Sequence, residues 1–412
     1  MSARATERVS ELLAGEVLID THNDLMCGLR RYRGYAVDGF DRESPDFHTD
    51  IPRLRRGGVS AQVWSVFVSG LQPEAEATVG TLEQIDAAYR FAEAYPDDVE
   101  IVTSAAEAER CIAAGRIASF LGIEGGHSIA MSLGVLRMFA RLGVRTMTLT
   151  HNSSLEWADA ATDAPRARGL SADGRAIVAE MNRLGVVVDL SHTSEQTQLA
   201  ALDVSTAPVM FSHSGVASVA AHPRNVSDDV LRRLAVGGGV LQVAFVAQFV
   251  SRAFADWSAE AEAARRDVGL TSSMPWPRAP RPAESAADAR AANAGEFPRA
   301  GATARQAFDR WLSLNPAPVV RVADVADHVE AARDLMGVAH VGLGSDFDGV
   351  SDLPTGLDDV SGYPRLFAEL ADRGWSDDDL LALAGRNTMR VLRDAEDVAG
   401  WARRDLKPSE GP

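Results

Sequence analysis

A run of polar residues directly follows an apolar segment near the N-terminus, in "EVLIDTHNDLM". His22 and Asp24 of this run are two residues apart, so on a strand they would share one face. An imidazole and a carboxylate placed in this way at a strand end can bind one cation. The same short motif also occurs as a hydrogen-bonded polar turn. Other residues of the chain must therefore decide between these interpretations.

Single histidines or acidic residues end five further apolar segments. They are Glu124 in "LGIEGGHS", His151 in "LTHNSS", His192 in "VDLSHTS", His213 in "FSHSG" and Asp346 in "GLGSDFDG". Imidazole and carboxylate groups are the N/O ligands that suit Zn²⁺. His22, His192 and His213, together with Asp24 and Glu124, exceed the needs of one tetrahedral ion. A pair of ions about 3.5 to 4 Å apart that shares a bridging carboxylate would use them all.

The charge balance also favours two ions. Asp24, Glu124, Asp346 and a bridging hydroxide would provide four negative charges against the four positive charges of two divalent cations. Asp346 and Asp348 lie on one face of the same predicted strand, so alternation alone does not distinguish them. We expect Asp346 to face the metals and Asp348 to order the following loop.

Eight short apolar segments separated by helical patterns could position these residues. They span residues 16–24, 59–68, 117–124, 146–151, 186–192, 209–213, 238–246 and 340–348. Alternating strands and helices of this number predict an α/β fold, the (β/α)8 TIM barrel. In such a barrel the C-terminal strand ends surround one mouth, so the polar residues would converge there.

The chain shows no internal repeat and no second apolar core, so we predict a single domain over residues 1–412. Residues 247–316 form a long connection, rich in Pro, Ala and Arg, between the seventh and eighth predicted strands. Connections of this length are typical of lids or mobile inserts. We expect a partly ordered excursion over the barrel mouth.

Composition excludes several classes of function. A net charge of −17 and a pI near 5.0 argue against binding to nucleic acids or anionic membrane surfaces. Only two cysteines are present, which excludes a disulfide framework and a thiolate metal cluster. The opening residues lack the apolar core of a signal peptide. We therefore expect a cytoplasmic protein with a small-molecule substrate, and a homodimer as the default assembly.

Lysine is almost absent, because Lys407 is the only lysine among 41 basic residues. Schiff-base lysines, P-loop lysines and a carboxylated lysine between two metals are therefore unavailable. A pair of ions that shares Glu124 as the bridge is the economical arrangement.

A series of motifs resembles the renal (membrane) dipeptidase family, peptidase family M19, among the amidohydrolase-type barrels. The series runs in the family's order from residue 17 to residue 387 and comprises "DTHNDL", "GIEGGHS", "LTHN", "VVDLSH", "FSHS", "HPRNVSDDVL", "GLGSDFDG" and "LPTGLDDVSGYP". This chain departs from the family's pattern at Thr21, Met26 and Arg386. The first two departures adjoin the predicted ligands and bring substrate preference into question.

The resemblance implies a role for each matching residue. It implies that His22 and Asp24 bind one zinc ion, that His192 and His213 bind the other, and that Glu124 bridges them. It implies that His151 stabilises the oxyanion and binds substrate, that Arg224 binds the substrate carboxylate, and that Asp346 transfers the proton. Asp346, His151 and Glu124 are thus the expected catalytic residues and two Zn²⁺ ions the expected cofactors.

The resulting hypothesis is a binuclear zinc dipeptidase in which a metal-bridging hydroxide attacks the peptide carbonyl, with dipeptides that end in a D-residue as further candidate substrates. Arg224 suits a carboxylate because its guanidinium can donate two parallel hydrogen bonds. A surface ion pair with Asp228 or Asp229 is the competing interpretation of this arginine. Two other functions stay open at this point. One is a related barrel hydrolase acting on a lactone, cyclic amide or phosphoester, and the other is an inactive barrel that serves as a binding or scaffold protein.

Overall fold

The apolar segments of the sequence form parallel strands in the computed structural model, which describes residues 3–270 and 302–405. In chain order the strands are β1 (Ile19–Asn23), β2 (Ala61–Phe67), β3 (Val99–Ile101), β4 (Ile117–Glu124), β5 (Val144–Thr148), β6 (Val187–Asp189), β7 (Met210–Ser214), β8 (Val240–Val243) and β9 (Val341–Leu343).

Eight of these strands close into a barrel. Their order is β2-β1-β9-β8-β7-β6-β5-β4, and β4 pairs back onto β2 in parallel. The predicted (β/α)8 barrel is therefore confirmed, with each of the eight predicted segments supplying one barrel strand. β3 was not predicted, because three residues are too few to show a periodic pattern. It pairs with the first residues of β4.

Helices surround the barrel and follow most of its strands. The α-helices are Ala3–Leu13, Leu25–Arg33, Ile51–Gly57, Glu74–Ala94, Ala105–Ala113, Leu133–Arg141, Ala172–Leu184, Glu195–Val204, Asp228–Val236, Ala247–Val250, Arg252–Asp267, Ala302–Leu314, Val322–Met336, Tyr363–Asp372, Asp377–Leu381 and Asn387–Asp405. Short 3-10 turns occur at Gly126–Ile129, Val338–His340 and Val360–Gly362, and a π-helical turn occurs at Ala382–Arg386.

Serine side chains set the starts of several of these helices. Ser171 accepts a hydrogen bond from the amide of Gly174, and Ser194 accepts one from the amide of Thr197. Each such cap contributes about 1 kcal/mol by pairing an amide that the helix itself leaves free. Gly185 then ends the first of these helices in the left-handed conformation, with φ +74°. These caps place each helix so that its chain returns to the next strand.

The interior of the barrel is apolar at the end away from the mouth. Inward-facing strand residues such as Ile19, Ala61 and Phe120 form one buried cluster with Met389 and Leu392 of the last helix. A larger buried cluster fills the layer between strands and outer helices. The barrel is thus a packed scaffold whose polar residues are concentrated at the other end of the strands.

Residues 247–316, within the long connection after β8, contain three helices in their described part: Ala247–Val250, Arg252–Asp267 and Ala302–Leu314. The indole Nε1 of Trp257 donates a hydrogen bond to the carbonyl of Asn315 at 2.9 Å, which links the two sides of the connection. Residues 271–301 lie outside the described residues, so the insert over 247–316 and its role as a lid stay predictions. Across residues 3–270 and 302–405, no helix combines the length and apolar character needed to cross a membrane.

Candidate metal centre and substrate cavity

Seven of the eight predicted site residues lie at the C-terminal end of the barrel strands, and the eighth, Arg224, lies in the loop after β7. His22, Glu124 and His213 belong to β1, β4 and β7, whereas Asp24, His151, His192 and Asp346 follow β1, β5, β6 and β9. Asp24 lies one residue beyond β1, directly before the helix Leu25–Arg33. It still reaches His22, because its Oδ2 lies 3.3 Å from the Nε2 of His22. The barrel therefore brings together residues that are more than 300 positions apart in sequence.

The carboxylate of Glu124 lies at the centre of this group. Four imidazole nitrogens surround its Oε1: Nε2 of His192 at 3.0 Å, of His213 at 3.5 Å, of His22 at 3.6 Å and of His151 at 3.8 Å. The other oxygen, Oε2, accepts a hydrogen bond from Ser65 Oγ at 3.2 Å. Glu124 is 5% exposed, so the convergence takes place out of bulk water.

Two buried polar atoms of the group have no hydrogen-bond partner among the described residues. They are Nε2 of His22 and Oδ1 of Asp24. An unsatisfied buried polar atom costs about 1 to 3 kcal/mol. A bound cation would offset this cost by contacting both atoms. Their position beside Glu124 is what a cation site requires.

The histidine tautomers also fit metal binding. Nδ1 of His192 lies 2.9 Å from Asn152 Oδ1, an oxygen that can only accept, so this nitrogen carries the proton. Nδ1 of His213 lies 2.8 Å from Ser212 Oγ, whose own proton is donated to Asp189. Both Nε2 atoms are then unprotonated, yet they face each other at 2.9 Å. Two facing lone pairs repel unless a cation lies beside them.

Three overlapping sets of side chains have ligand atoms close enough to hold a cation. The sets are His22, Glu124 and His213; Glu124, His151 and His192; and His22, Asp24 and Asp346. Glu124 belongs to two of the sets, as expected for a ligand shared by neighbouring ions, and His22 also belongs to two. The donor atoms are imidazole nitrogens and carboxylate oxygens, which suit Zn²⁺ and related divalent ions.

Asp346 and Asp348 differ in their surroundings. Oδ1 of Asp346 lies 3.9 Å from Nε2 of His22, whereas Oδ1 of Asp348 accepts a hydrogen bond from the amide of His48 at 2.7 Å. Both residues have left-handed backbones, with φ near +68° and +65°, a conformation that costs about 1 to 3 kcal/mol outside glycine. Hydrogen bonding holds this strained loop, because the amide of Asp346 donates to the carbonyl of His22 at 3.1 Å.

Gly349 packs this loop against the carboxylates. A Cβ atom at this position would lie 2.3 Å from Oδ2 of Asp24 and 2.3 Å from Oδ1 of Asp346. Any side chain would therefore displace one of the two carboxylates. Gly349 was not predicted as a site residue, because its closeness to Asp24 depends on the pairing of β1 with β9.

Burial and charge set the protonation of the centre. Burial lowers the pKa of His151 to about 4. Burial opposes protonation of His22 as well, but the carboxylates of Glu124 and Asp24 raise its pKa well above the ordinary value. Burial and the Asp24 carboxylate raise the pKa of Asp346 well above its ordinary value, against the opposing effect of His22. At neutral pH, His151 is therefore neutral, and Asp346 takes up a proton more readily than an exposed aspartate does.

A cavity of about 400 Å³ opens onto these residues, and Arg224 lines it. The guanidinium is buried, and burial lowers its pKa to about 10. It makes two long hydrogen bonds, to Ser214 Oγ at 3.4 Å and to the carbonyl of His213 at 3.3 Å, while its Nε has no hydrogen-bond partner among the described residues. The ring of Phe249 lies 5.1 Å from its Cζ. This arginine is charged, held in place and able to accept an anionic partner.

The alternative surface ion pair of Arg224 does not form. Asp229 instead pairs with Arg232 at 2.9 Å, and Asp228 lies 4.0 Å from the same arginine. Arg224 is only 5% exposed. Its burial against Phe249, which follows β8, could not be deduced from the neighbouring "HPRN" sequence.

The three departures from the family's pattern lie away from the cavity lining. Thr21 is buried, and its hydroxyl donates to the carbonyl of Ser212 at 2.7 Å. Met26 is part of the apolar core. Arg386 is exposed and lies 3.4 Å from Glu16, which precedes β1 at the opposite end of the barrel. These contacts are structural and give no reason to expect altered substrate contacts.

Comparison with known proteins identifies the family. The family model described as membrane dipeptidase (peptidase family M19) matches residues 6–405 of this chain. The chain belongs to the membrane dipeptidase family. The dipeptidase aclJ of Aspergillus oryzae is 38% identical over 403 residues, which cover 95% of this chain and 81% of that protein. As a member of family M19, the chain is a metallo-dipeptidase.

Solved structures share its fold. The probable dipeptidase PvdM from Pseudomonas aeruginosa superposes with a TM-score of 0.80 at 22% identity, covering 97% of this chain and 100% of that one. A metallo peptidase from Rhodobacter sphaeroides, solved with a phosphinate mimic of the dipeptide L-Ala-D-Ala, gives a TM-score of 0.72 at 21% identity, covering 92% and 99%. At 21% to 22% identity, this similarity supports a shared fold alone.

Proposed function

We propose that this M19 metallo-dipeptidase is a binuclear zinc enzyme that hydrolyses the peptide bond of free dipeptides. The observation that carries the proposal is one cavity that is lined both by Glu124 with several of the residues around it and by a buried arginine, whose Nε has no hydrogen-bond partner among the described residues. The first feature suits metal-assisted hydrolysis, and the second suits a substrate with a free carboxylate.

The ligand set divides into two halves that share Glu124. His22 and Asp24 would hold one zinc ion, and His192 and His213 would hold the other. When bound, two zinc ions supply Lewis acidity towards the scissile carbonyl and lower the pKa of water. Asp24, Glu124 and Asp346 supply the negative charge that makes such a pair of cations tolerable.

His151 and Asp346 provide the remaining acid–base chemistry. Because burial lowers the pKa of His151 to about 4, its imidazole is neutral and can donate one hydrogen bond to the oxygen on which negative charge develops. Because the pKa of Asp346 is raised by burial, its carboxyl group can hold a proton and deliver it to the departing amine. Both side chains line the same cavity, so both can reach one substrate.

Arg224 would define the substrate's end. Its guanidinium offers a planar pair of donors to the α-carboxylate, which places the preceding peptide bond towards the Glu124 group. This selects short peptides whose terminal carboxylate lies inside the cavity. Dipeptides with a C-terminal D-residue are included among the proposed substrates because the Rhodobacter sphaeroides relative binds a mimic of L-Ala-D-Ala.

The proposal is tested by assaying the zinc-loaded protein against matched libraries of L-Xaa-L-Xaa and L-Xaa-D-Xaa dipeptides. The corresponding dipeptide amides and N-acetylated tripeptides serve as controls. We expect hydrolysis of free dipeptides and strongly reduced hydrolysis of the amides. Equal hydrolysis of dipeptides and amides would contradict the role of Arg224. Cleavage of lactones or phosphoesters in preference to every dipeptide would contradict the proposed substrate class.

A further inference from the structure

Two buried aspartates outside the candidate ligand sets accept hydrogen bonds from residues that carry or adjoin the proposed ligands. Asp20 is the second residue of β1, and Asp189 is the last residue of β6. The two residues are 0% and 2% exposed. Neither is a member of the ligand sets around Glu124. A buried carboxylate requires several hydrogen bonds to offset its lost hydration. The partners of these two therefore reveal what they hold in place.

Asp20 accepts four hydrogen bonds from three residues. Its Oδ1 accepts from the amides of His22 at 3.1 Å and Ser345 at 2.9 Å. Its Oδ2 accepts from the hydroxyls of Ser345 and Tyr363, both at 2.6 Å. One partner is the ligand His22 itself, and another directly precedes Asp346. Asp20 thus joins the backbones that carry both residues.

Asp189 makes the corresponding contacts on the other side of the barrel. Its Oδ1 accepts from the amides of Ser191 at 3.0 Å and Ser212 at 2.9 Å. Its Oδ2 accepts from the hydroxyls of Ser212 at 2.5 Å and Thr148 at 2.7 Å. Ser191 directly precedes the ligand His192, and Ser212 directly precedes the ligand His213.

The two arrangements have the same register. Asp20 pairs with Leu343 across β1 and β9, and Asp189 pairs with Met210 across β6 and β7. In each case the serine that donates both its amide and its hydroxyl lies two residues beyond the paired residue. Asp20 therefore links the ends of β1 and β9, and Asp189 links the ends of β6 and β7 in the same way.

We propose that Asp20 and Asp189 are positioning residues, each of which holds the ligands of one metal: Asp20 the His22 half and Asp189 the His192–His213 half. This inference rests on the proposed binuclear function. It predicts that the loss of either carboxylate weakens one metal site more than the other. A general loss of stability would affect both sites alike.

Asp189 has a second effect through Ser212. Because the Ser212 hydroxyl donates its single proton to Asp189, its oxygen accepts the proton on Nδ1 of His213. That contact leaves Nε2 of His213 free to bind metal. In Asp189→Asn, the amide nitrogen can donate to Ser212, and the hydroxyl is then free to donate to Nδ1 of His213. The histidine proton would move to Nε2 and block the ligand atom.

The test compares zinc binding by the full-length Asp20→Asn and Asp189→Asn variants with that of the parent protein. Zinc equivalents are measured by elemental analysis after dialysis against a graded series of chelator concentrations. Anomalous diffraction at the zinc edge then locates the retained ion. We expect the parent to retain two equivalents. Each variant should retain one, with its other site weakened about 10- to 100-fold, the range for loss of an outer-shell partner.

Matched variants separate positioning from general destabilisation. Glu180→Gln alters a buried carboxylate on an outer helix, where its partners are Arg137 and Arg183, and it should retain both ions. Ser212→Ala removes only the hydroxyl beside the His213 ring and should weaken the same site as Asp189→Asn. If Asp189→Asn does not fold, the zinc binding of Ser212→Ala tests the inference in its place. Ser345→Ala removes the equivalent hydroxyl beside Asp20. Among the described residues this hydroxyl makes no hydrogen bond to a histidine ring, so its loss should have a smaller effect.

Two results would overturn the inference while leaving the proposed function intact. One is retention of two equally tight zinc ions in both aspartate variants and in Ser212→Ala. The other is equal weakening of both sites by each substitution. A parent protein that binds only one equivalent would instead contradict the binuclear function on which the inference rests.

Discussion

Nε2 of His192 lies 2.9 Å from Nε2 of His213, while the Nδ1 atoms of both rings are held by oxygen atoms of Asn152 and Ser212. Each outer contact places the proton on Nδ1 and leaves Nε2 unprotonated, as the proposed metal binding requires. The two nitrogens are therefore preorganised to bind a cation, and Glu124 Oε1 lies 3.0 Å from one and 3.5 Å from the other.

Glu124 should control the number of bound metal ions. The parent protein is expected to bind two zinc equivalents, because five N/O ligands are present and Glu124 lies between the two halves. Glu124→Ala removes the only shared ligand of the proposed pair and exposes the two cations to mutual repulsion. Elemental analysis should then give fewer than two equivalents. Two equivalents in Glu124→Ala would mean that another group bridges the ions.

Asp346→Asn should separate proton transfer from metal binding. The amide preserves the shape of the side chain but cannot deliver a proton, so kcat should fall by about 10² to 10⁴, the range for a lost acid–base group. Both zinc equivalents should remain. Because Asp346 also lies close enough to His22 and Asp24 to share a cation, loss of one equivalent would make it mainly a ligand.

Arg224 should recognise the substrate's terminal carboxylate. Either Arg224→Ala or amidation of the dipeptide should lower kcat/KM. Each loss should correspond to about 2 to 4 kcal/mol of transition-state stabilisation, because each change leaves one partner of a buried charge pair alone. The two changes together should cost much less than their sum. Arg224→Lys should restore part of the activity, because an ammonium group lacks the planar two-donor geometry. Additive losses in this four-way comparison would show that Arg224 and the carboxylate do not interact.

Gly349→Ala should disturb the centre through steric contact alone. The added methyl group would lie 2.3 Å from carboxylate oxygens of Asp24 and Asp346, so the loop or a carboxylate must move, at about 1 to 3 kcal/mol of stability. Zinc affinity should fall with it. Gly400→Ala is the matched control, because a Cβ atom at that helical position meets no described atom within 4 Å apart from the backbone of its own helix, and it should be neutral or stabilising. Unchanged zinc affinity in Gly349→Ala would contradict the packing described here.

His328 should make the metal-free protein less stable at acidic pH. Its ring is buried, its Nδ1 accepts from the amide of Val216 at 2.9 Å, and burial lowers its pKa from 6.5 to about 4. As the pH falls below 6.5, His328 becomes protonated in the unfolded chain but stays neutral in the folded chain. The free energy of unfolding therefore decreases until the pH approaches 4.

His328→Asn keeps an acceptor for the Val216 amide and removes this titration. Between about pH 8 and pH 5, the parent should lose about 2 kcal/mol more unfolding free energy than the variant, because the loss is about 1.4 kcal/mol for each pH unit between 6.5 and 5. Chemical denaturation with chelator present measures both curves. Parallel curves would show that His328 does not titrate in this way.

The sequence predicted the barrel because each strand is an apolar segment followed by a helical pattern, a regularity that local physics produces. It also indicated the residues of the centre, because in parallel barrels strand ends meet whatever their separation in sequence. Asn152, Ser212, Asp189 and Gly349 were not identified as contributors. Asp189 and Ser212 lie inside recognised motifs, yet their importance depends on the register between β6 and β7, which the sequence does not display.

Zinc titration of the metal-free protein, followed by its rate of dipeptide hydrolysis, tests the central claim most directly. The account predicts negligible hydrolysis without metal and a rate that rises until two zinc equivalents per chain are bound and then stays constant. A rate that reaches its maximum at one equivalent, or hydrolysis that persists in the presence of excess chelator, would contradict a binuclear zinc dipeptidase.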